Sequence, residues 1–285
     1  LNQFRDKSGY RFTFENTIYG EKKDDHLGWA RPSISNDGET LALGVVHGGT
    51  DRRGSAGVYK YINSTDQWER VANFEGDNSY DVLGRSSTIS GDGQTFAMGG
   101  EGSDHEGLNN RGMVKIFQEG ENGTWVQLGS SIYGEAADDY SGFSVSLTDD
   151  GNRVAIGALF NDGNSNNTGH VRVYDYDTTT KDWEKVGNDI DGKASWDDSG
   201  ASVSLSADGS IVAVSSPQND LNGEGAGSVN VYQNIGNQWI DLGNTIIGEY
   251  RGNHLGGGWH GQALEISSDG SILIVGAEGW DNNGW

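Results

Sequence analysis

The chain has no cysteine, two prolines and two methionines. Without cysteine there are no disulfides, thiolate metal sites or cysteine nucleophiles. Two prolines in 285 residues exclude collagen, which needs much proline and glycine at every third position. Basic residues are scarce: 19 Lys and Arg face 42 Asp and Glu, for a formal net charge of -23. That charge repels phosphate backbones and anionic surfaces, so no nucleic-acid partner is expected. Apolar runs are short. The strongest, Ile272 to Val275, is far below the ~18 residues that cross a bilayer, so no membrane insertion is expected.

Glycine is abundant, at 46 residues, alongside 9 Trp, 11 Tyr and 8 Phe. Disordered chains are poor in aromatics. The composition therefore fits a turn-rich globular β protein.

The chain repeats itself, which has to be tested before local structure is read. A glycine recurs at Gly20, Gly76, Gly134, Gly192 and Gly248, and a second follows each at Gly28, Gly84, Gly142, Gly200 and Gly256. Asp-Gly pairs come next, at Asp37-Gly38, Asp92-Gly93, Asp150-Gly151, Asp208-Gly209 and Asp269-Gly270. A tryptophan recurs at Trp68, Trp125, Trp183 and Trp239. These are five copies of a unit of about 57 residues, with blades expected over 21–76, 77–134, 135–192, 193–248, and 249–285 plus 1–20.

Each unit reads as four short strands. In the third these are Phe143 to Leu147, Val154 to Ala158, Val171 to Tyr174 and Trp183 to Val186, with Asp150-Gly151 as a hairpin turn. Four-stranded units repeated radially make a β-propeller. The expected fold is thus an all-β propeller of about five four-stranded blades, with a stacked solenoid as the other reading. The repeated tryptophans are expected to pack between blades.

Leu27-Gly28, Leu83-Gly84 and Leu255-Gly256 precede first strands, and Gly157-Ala158-Leu159 and Gly276-Ala277-Glu278 follow second strands. In these elements the unit resembles the FG-GAP repeat, the propeller blade of integrin α-chain heads and of many secreted microbial and algal proteins. It is closer to the divergent microbial form. The integrin-type calcium loop is absent, since a short turn, Thr148-Asp149-Asp150-Gly151, holds its place. The resemblance implies an extracellular or cell-surface binding or adhesion module rather than an enzyme.

Two acidic positions recur. One follows the opening glycine, at Asp25, Asp81, Asp139 and Asp197, with Asn253 in the fifth copy. The other follows the second strand, at Asp51, Asp104, Asp162, Asp220 and Asp281. Asp162, Asn164 and Asn166, and Asp220, Asn222 and Glu224, alternate oxygen ligands on glycine-containing loops in a way that suits Ca²⁺. Asp139 and Asp197 would lie on the same face. The competing expectation is that these side chains cap turns. Sequons at Asn63, Asn122 and Asn166 are candidate glycosylation sites.

No HExxH, phosphate-loop or GxSxG motif is present, and the six histidines show no metal-ligand spacing. The acids mostly recur in every copy, which points to architecture. The expected function is therefore a non-catalytic structural or adhesive module whose partners are extracellular proteins, glycans or copies of itself. The alternative is a carbohydrate-binding or glycosidase propeller, in which Trp29, Trp196, Trp259 or Trp280 would stack on sugars unless they simply pack. The fifth unit stops after its second strand, and Ser8 to Phe14 resembles a third strand with Glu15 to Ile18 as a short fourth. This segment is expected to complete the last blade. It would do so in its own chain or in a neighbour, and the second case would build a head-to-tail filament. A longer chain with six or seven blades is also open.

Overall fold

The Asp-Gly pairs set the inner hairpin of every unit. A Ser or Thr two residues earlier donates its hydroxyl to the Asp: Ser35 to Asp37, Ser90 to Asp92, Thr148 to Asp150, Ser206 to Asp208 and Ser267 to Asp269, at 2.5 to 2.8 Å. The same carboxylate accepts the N–H two residues on, as from Glu39 to Asp37 at 2.9 Å. The glycine that follows turns the chain at positive φ, between 67° and 75° in the five copies. Hydroxyl and N–H donors favour the ionised carboxylate, so Asp37 is held below its usual range and Asp269 falls to about 2.

The computed structural model of the chain describes residues 4–5, 11–12, 17–49, 51–163, 165–258 and 261–279. It is all-β, a five-bladed propeller. Blade one comprises Ser33–Ile34, Thr40–Val45, Ser55–Ile62 and Gln67–Glu75 in sequential antiparallel order. Blade two comprises Ser86–Ile89, Thr95–Gly100, Met113–Glu119 and Trp125–Gln127, and Ile132–Tyr133 also pairs with its third strand. Blade three follows with Ser141–Leu147, Arg153–Ala158, His170–Asp177 and Asp182–Lys185, plus Ile190–Asp191. In blade four the strands are Val203–Leu205, Ile211–Ser216, Ser228–Asn234 and Trp239–Asp241, plus Ile246–Ile247. The described part of blade five is its inner pair, Leu264–Ile266 and Leu273–Val275.

Hydrophobic cores lie between blades rather than within them. Val171 and Val173 of blade three meet Val203, Val212 and Trp239 of blade four. Ala56 and Val58 of blade one meet Phe96 and Met98 of blade two, and blades two and three, and four and five, pair likewise. Three of the repeated tryptophans, Trp125, Trp183 and Trp239, serve the same seams, while Trp68 packs edge-on to Tyr61 of its own blade. Trp183 donates its indole N–H to the Leu128 carbonyl of the previous blade at 2.8 Å, and Trp239 to that of Val186 at 3.1 Å.

Backbone contacts fix the spacing of the blades. In blades one to three the next-to-last residue of the second strand is a glycine that lies against the carbonyl of the second recurring glycine of the next blade. A Cβ on Gly44 would sit 2.0 Å from the Gly84 oxygen, one on Gly99 2.0 Å from that of Gly142, and one on Gly157 2.1 Å from that of Gly200. The carbonyls of Gly142 and Gly200 also accept hydroxyls from Ser86 and Ser144 of the preceding blade, each at 2.7 Å. At the opposite end the hairpin turns form a belt: Asn36 N–H to Gly91 O, Asp92 to Asp149, Asp149 to Ala207, and Ala207 to Ser268, at 2.8 to 3.0 Å. Arg31 of blade one closes the ring on blade five by donating to the Leu264 carbonyl and pairing with Glu265.

The closing role expected of Ser8 to Phe14 falls mostly outside the described residues. Within that segment, Arg11–Phe12 pairs with Phe4–Arg5.

Gly99→Ala is expected to destabilise the chain by about 3 kcal/mol or more, because backbone oxygen cannot yield to a methyl at that distance. Gly243→Ala, with φ 82° but nothing within 4 Å of its would-be Cβ, is expected to cost only about 1–2 kcal/mol. Urea unfolding of both variants checks the difference; equal losses would deny the contact its role.

Candidate functional site

The loops between second and third strands and the loops between blades share one face, opposite the belt of hairpin turns. In the interblade loops the recurring acid is a turn cap. Asp25 accepts the Lys22 N–H at 2.6 Å, Asp81 that of Asn78 at 2.8 Å, and Asp139 those of Glu135 and Ala136 at 2.9 and 2.7 Å. Asp197 accepts from Lys193, Ala194 and the Asn219 amide, and Asn253 from Tyr250. All five positions do the same work on the backbone.

Three members of the second acidic series behave alike, and Asp281 lies outside the described residues. Asp104 accepts from Asn110 N–H, Asp162 from Asn167 and Asp220 from Gly225, at 2.7 to 2.8 Å. Asn222 donates its amide to the carbonyls of Gly248 and Glu249, and Glu224 pairs with Arg251. Asn166 is exposed and Asn164 lies outside the described residues. Among the described residues these carboxylates do not form a group of three with ligand atoms in metal range. The group that does is Glu135, His170 and Asp189, whose ligand atoms lie within 4.8 Å of one another. There Arg172 bonds both carboxylates and Lys185 bonds Asp189 at 2.7 Å, while burial lowers His170 to about 4. The sequon residues Asn63 and Asn122 are exposed on hairpins between third and fourth strands, and Asn122 Oδ1 accepts from the Thr124 hydroxyl at 2.5 Å.

The chemistry that does not repeat lies on the inner rim of the same face. Directly after each recurring cap the chain takes positive φ at His26, Val82, Tyr140, Asp198 and His254, between 47° and 56°. Valine adopts this region rarely, so the turn imposes it whatever the residue. The five copies therefore present five different side chains from one backbone position. The residue after the second opening glycine varies likewise: Trp29, Arg85, Phe143, Ala201 and Gly257. So does the residue after the second strand: Val46, Glu101, Leu159, Pro217 and Glu278.

Arg85 and Glu101 form the centre of this rim. Arg85 lies over the Phe143 ring, 4.9 Å from its centroid, and its Nη1 is 3.5 Å from Glu101 Oε1. A small cavity between Trp29, Arg85, Ser87 and Phe143 opens beside them. Glu101 is 8% exposed, and its other oxygen, Oε2, is buried without a hydrogen-bond partner. Desolvation pushes Glu101 up to about 7 despite the opposing charge of Arg85. Tyr140, raised by burial and by the charges of Asp138 and Glu101, stays protonated at neutral pH and packs edge-on to Phe160. On the blade-one side His26 stacks on Trp29 at 4.9 Å and lies 4.3 Å from His47, whose pKa is lowered by burial and then by His26. Asp198 is a second buried acid on the rim, raised to about 7 by burial and by Asp197. Arg31 lines both this small cavity and a polar axial cavity of about 240 Å³ that includes Ser33, Thr88, Ser146, Ser204 and Glu265.

No family model matches the chain, and no curated protein matches it. Solved structures do. The periplasmic gluconolactonase PpgL of Pseudomonas aeruginosa aligns with a TM-score of 0.60 at 16% identity, covering 96% of this chain and 70% of that one. A Bacteroides uniformis protein named as a candidate 6-phosphogluconolactonase aligns with a TM-score of 0.48 at 12% identity, covering 86% and 76%. At these identities the likeness is one of fold, and the propeller is shown while membership of the FG-GAP family is not.

The expectation of a non-catalytic adhesive or structural module assembling into filaments is corrected on these grounds. A solved propeller that matches nearly the whole chain is named as an enzyme. The acids taken as uniformly repeated are caps, while Glu101 and Asp198 break the repeat, are buried, and titrate near neutrality. Arg85, Glu101 and Asp198 were legible in the sequence only as departures from the repeat at rim positions.

Glu101 should also register in stability. Its folded pKa lies above the unfolded one, so its contribution is fully present below the unfolded value of about 4.5 and is lost as pH rises through about 7. Glu101→Gln removes that loss. The variant is expected to match wild type in urea unfolding near pH ~4 and to exceed it by up to about 3 kcal/mol near pH ~9. Equal midpoints at the higher pH would show that Glu101 is not held in a desolvated site.

Proposed function

We propose that the chain is a lactonase-type hydrolase acting on a small polyhydroxylated lactone at the axial mouth, with Glu101 as general base and Arg85 as the cation that stabilises developing negative charge. The observation that carries this reading is Glu101 itself. It is a blade-specific carboxyl, buried at the mouth, bonded to nothing through Oε2 and placed beside Arg85. A base poised near pH 7 is half ionised where it works.

Ionised Glu101 accepts a proton from water through Oε2. The water oxygen then bonds to the lactone carbonyl carbon as the carbonyl electrons move to oxygen. The Arg85 guanidinium has five N–H donors, enough to hold Glu101 and face that alkoxide. The tetrahedral intermediate collapses by breaking the ring carbon–oxygen bond, and the leaving oxygen takes the proton that Glu101 had accepted, giving the hydroxy acid and restoring the Glu101 carboxylate. Phe143 fixes the plane of Arg85, and Trp29 and Phe143 wall the cavity against bulk water. A fold match to a periplasmic gluconolactonase supports this substrate class and fits a location outside the cytoplasm.

Purified protein is expected to release acid from glucono-1,5-lactone faster than the spontaneous rate, with kcat rising as pH increases through about 7. Glu101→Gln should lower kcat by about 10²-fold or more, with little change in KM. Unaltered kcat in that variant would remove Glu101 from the chemistry; absence of any acceleration by wild type would remove the reaction.

A further inference from the structure

Asp197 and Asp198 are neighbours in sequence with opposite surroundings. Asp197 is saturated: the N–H groups of Lys193 and Ala194 donate to it at 3.1 and 2.9 Å, and the Asn219 amide at 3.0 Å. Asp198 is also buried, at 7% exposure against 2% for Asp197, yet among the described residues neither a hydrogen-bond donor nor a cation offsets its carboxyl. A buried, uncompensated carboxyl is costly, and it persists where something outside the fold uses it.

Its place in the repeat says where it sits. Blade three has Tyr140 at this position, and Tyr140 packs against Phe160 at the exit of its own second strand, centroids 5.2 Å apart. Blade one has His26, which lies 4.3 Å from His47 at the same exit. The corresponding exit in blade four is Gln218, whose N–H donates to the Asp197 carbonyl at 3.3 Å. Asp198 thus occupies the rim site that Tyr140 and His26 occupy in their blades. The backbone does not account for the acid. Aspartate tolerates positive φ, but Val82 takes the same conformation at φ 55°, so the turn asks for no carboxyl.

We propose that Asp198 is a ligand-binding carboxyl of the mouth, hydrogen-bonding a hydroxyl of the polyhydroxylated substrate. The assignment rests on the lactonase reading for the identity of the ligand, while Asp198 acts in binding and Glu101 in bond making. A carboxyl bonds a hydroxyl in either protonation state, as acceptor when ionised and as donor and acceptor when protonated. Because the site is desolvated, losing this partner leaves a ligand hydroxyl unsatisfied, which is a larger effect than at an exposed contact.

The test uses the full chain and glucono-1,5-lactam, the nitrogen analogue of the lactone that is inert to hydrolysis. Calorimetry should show wild type and Glu101→Gln binding the lactam alike. Asp198→Ala should bind it about tenfold or more weakly, and Asp198→Asn, which keeps an oxygen and an N–H donor, within about threefold of wild type. On the lactone, Asp198→Ala should raise KM by a similar factor with kcat nearly retained. Asp198→Ala binding the lactam as tightly as wild type overturns the assignment, and so does equal loss in Asp198→Asn and Asp198→Ala. Wild type that binds the lactam in an Asp198-dependent way without hydrolysing the lactone overturns the reaction and leaves the binding role standing. Wild type that neither binds nor hydrolyses overturns both.

Discussion

The structure depends on how closely one backbone approaches the next at the inner end of each blade. At the first three seams a glycine without a side chain faces the carbonyl oxygen of a positive-φ glycine, and a methyl would fall about 2 Å from that oxygen. Hydroxyls of Ser86 and Ser144 bind two of these carbonyls from the side, so the oxygen is both spacer and acceptor. The fourth seam departs from the pattern. Ser215 stands where the others have glycine, and both Ser202 Oγ and Ser215 Oγ are left buried without partners. There the close approach is made by a side chain, since a Cβ on Gly256 would lie 2.3 Å from that of Ser215.

This constraint explains why so much of the fold was legible in the sequence. Glycines, caps and Asp-Gly hairpins answer to backbone geometry, and backbone geometry repeats. The third-unit strand expected over Val154 to Ala158 is found as Arg153–Ala158, and that over Trp183 to Val186 as Asp182–Lys185. The site was hidden by the same logic. Glu101 follows the second strand where Leu159 and Pro217 stand in other blades, and Asp198 aligns with tyrosine and histidine. Recurrence marks what the ring needs, so residues that serve a ligand show up as exceptions to it. An exception becomes informative only once its burial and partners are known.

The net charge of -23 also resolves into two populations. Recurring acids such as Asp139, Asp162 and Asp208 accept N–H groups of their own loops. The scarce cations are committed elsewhere: Lys60 to Glu119, Lys115 to Asp77, Arg153 to Asp175 and Arg172 to Asp189 each form ion pairs. A chain this acidic can remain folded because its carboxylates are solvated by backbone, a compensation that exposed salt bridges would supply only weakly.

Against that background the mouth and the axial cavity below it are different kinds of polar space. In the cavity the hydroxyls of Ser33, Ser146 and Ser204 accept N–H groups of the next blade, from Ile89, Leu205 and Ile266, at 3.0 to 3.1 Å. Of the two carboxylates lining it, Glu265 is taken up by Arg31 in closing blade one on blade five, and Asp149 accepts from the Asn36 amide at 2.7 Å. These polar groups are spent on holding the ring together. At the mouth the accounts do not close: among the described residues Glu101 Oε2 has no partner and no donor offsets Asp198, and both lie in surroundings that disfavour their charge. Unsatisfied carboxyls are stable only if the rest of the fold tolerates their cost, and the seams supply that margin. Chemistry is therefore expected where the ring can carry a local deficit, at the variable rim and not along the axis.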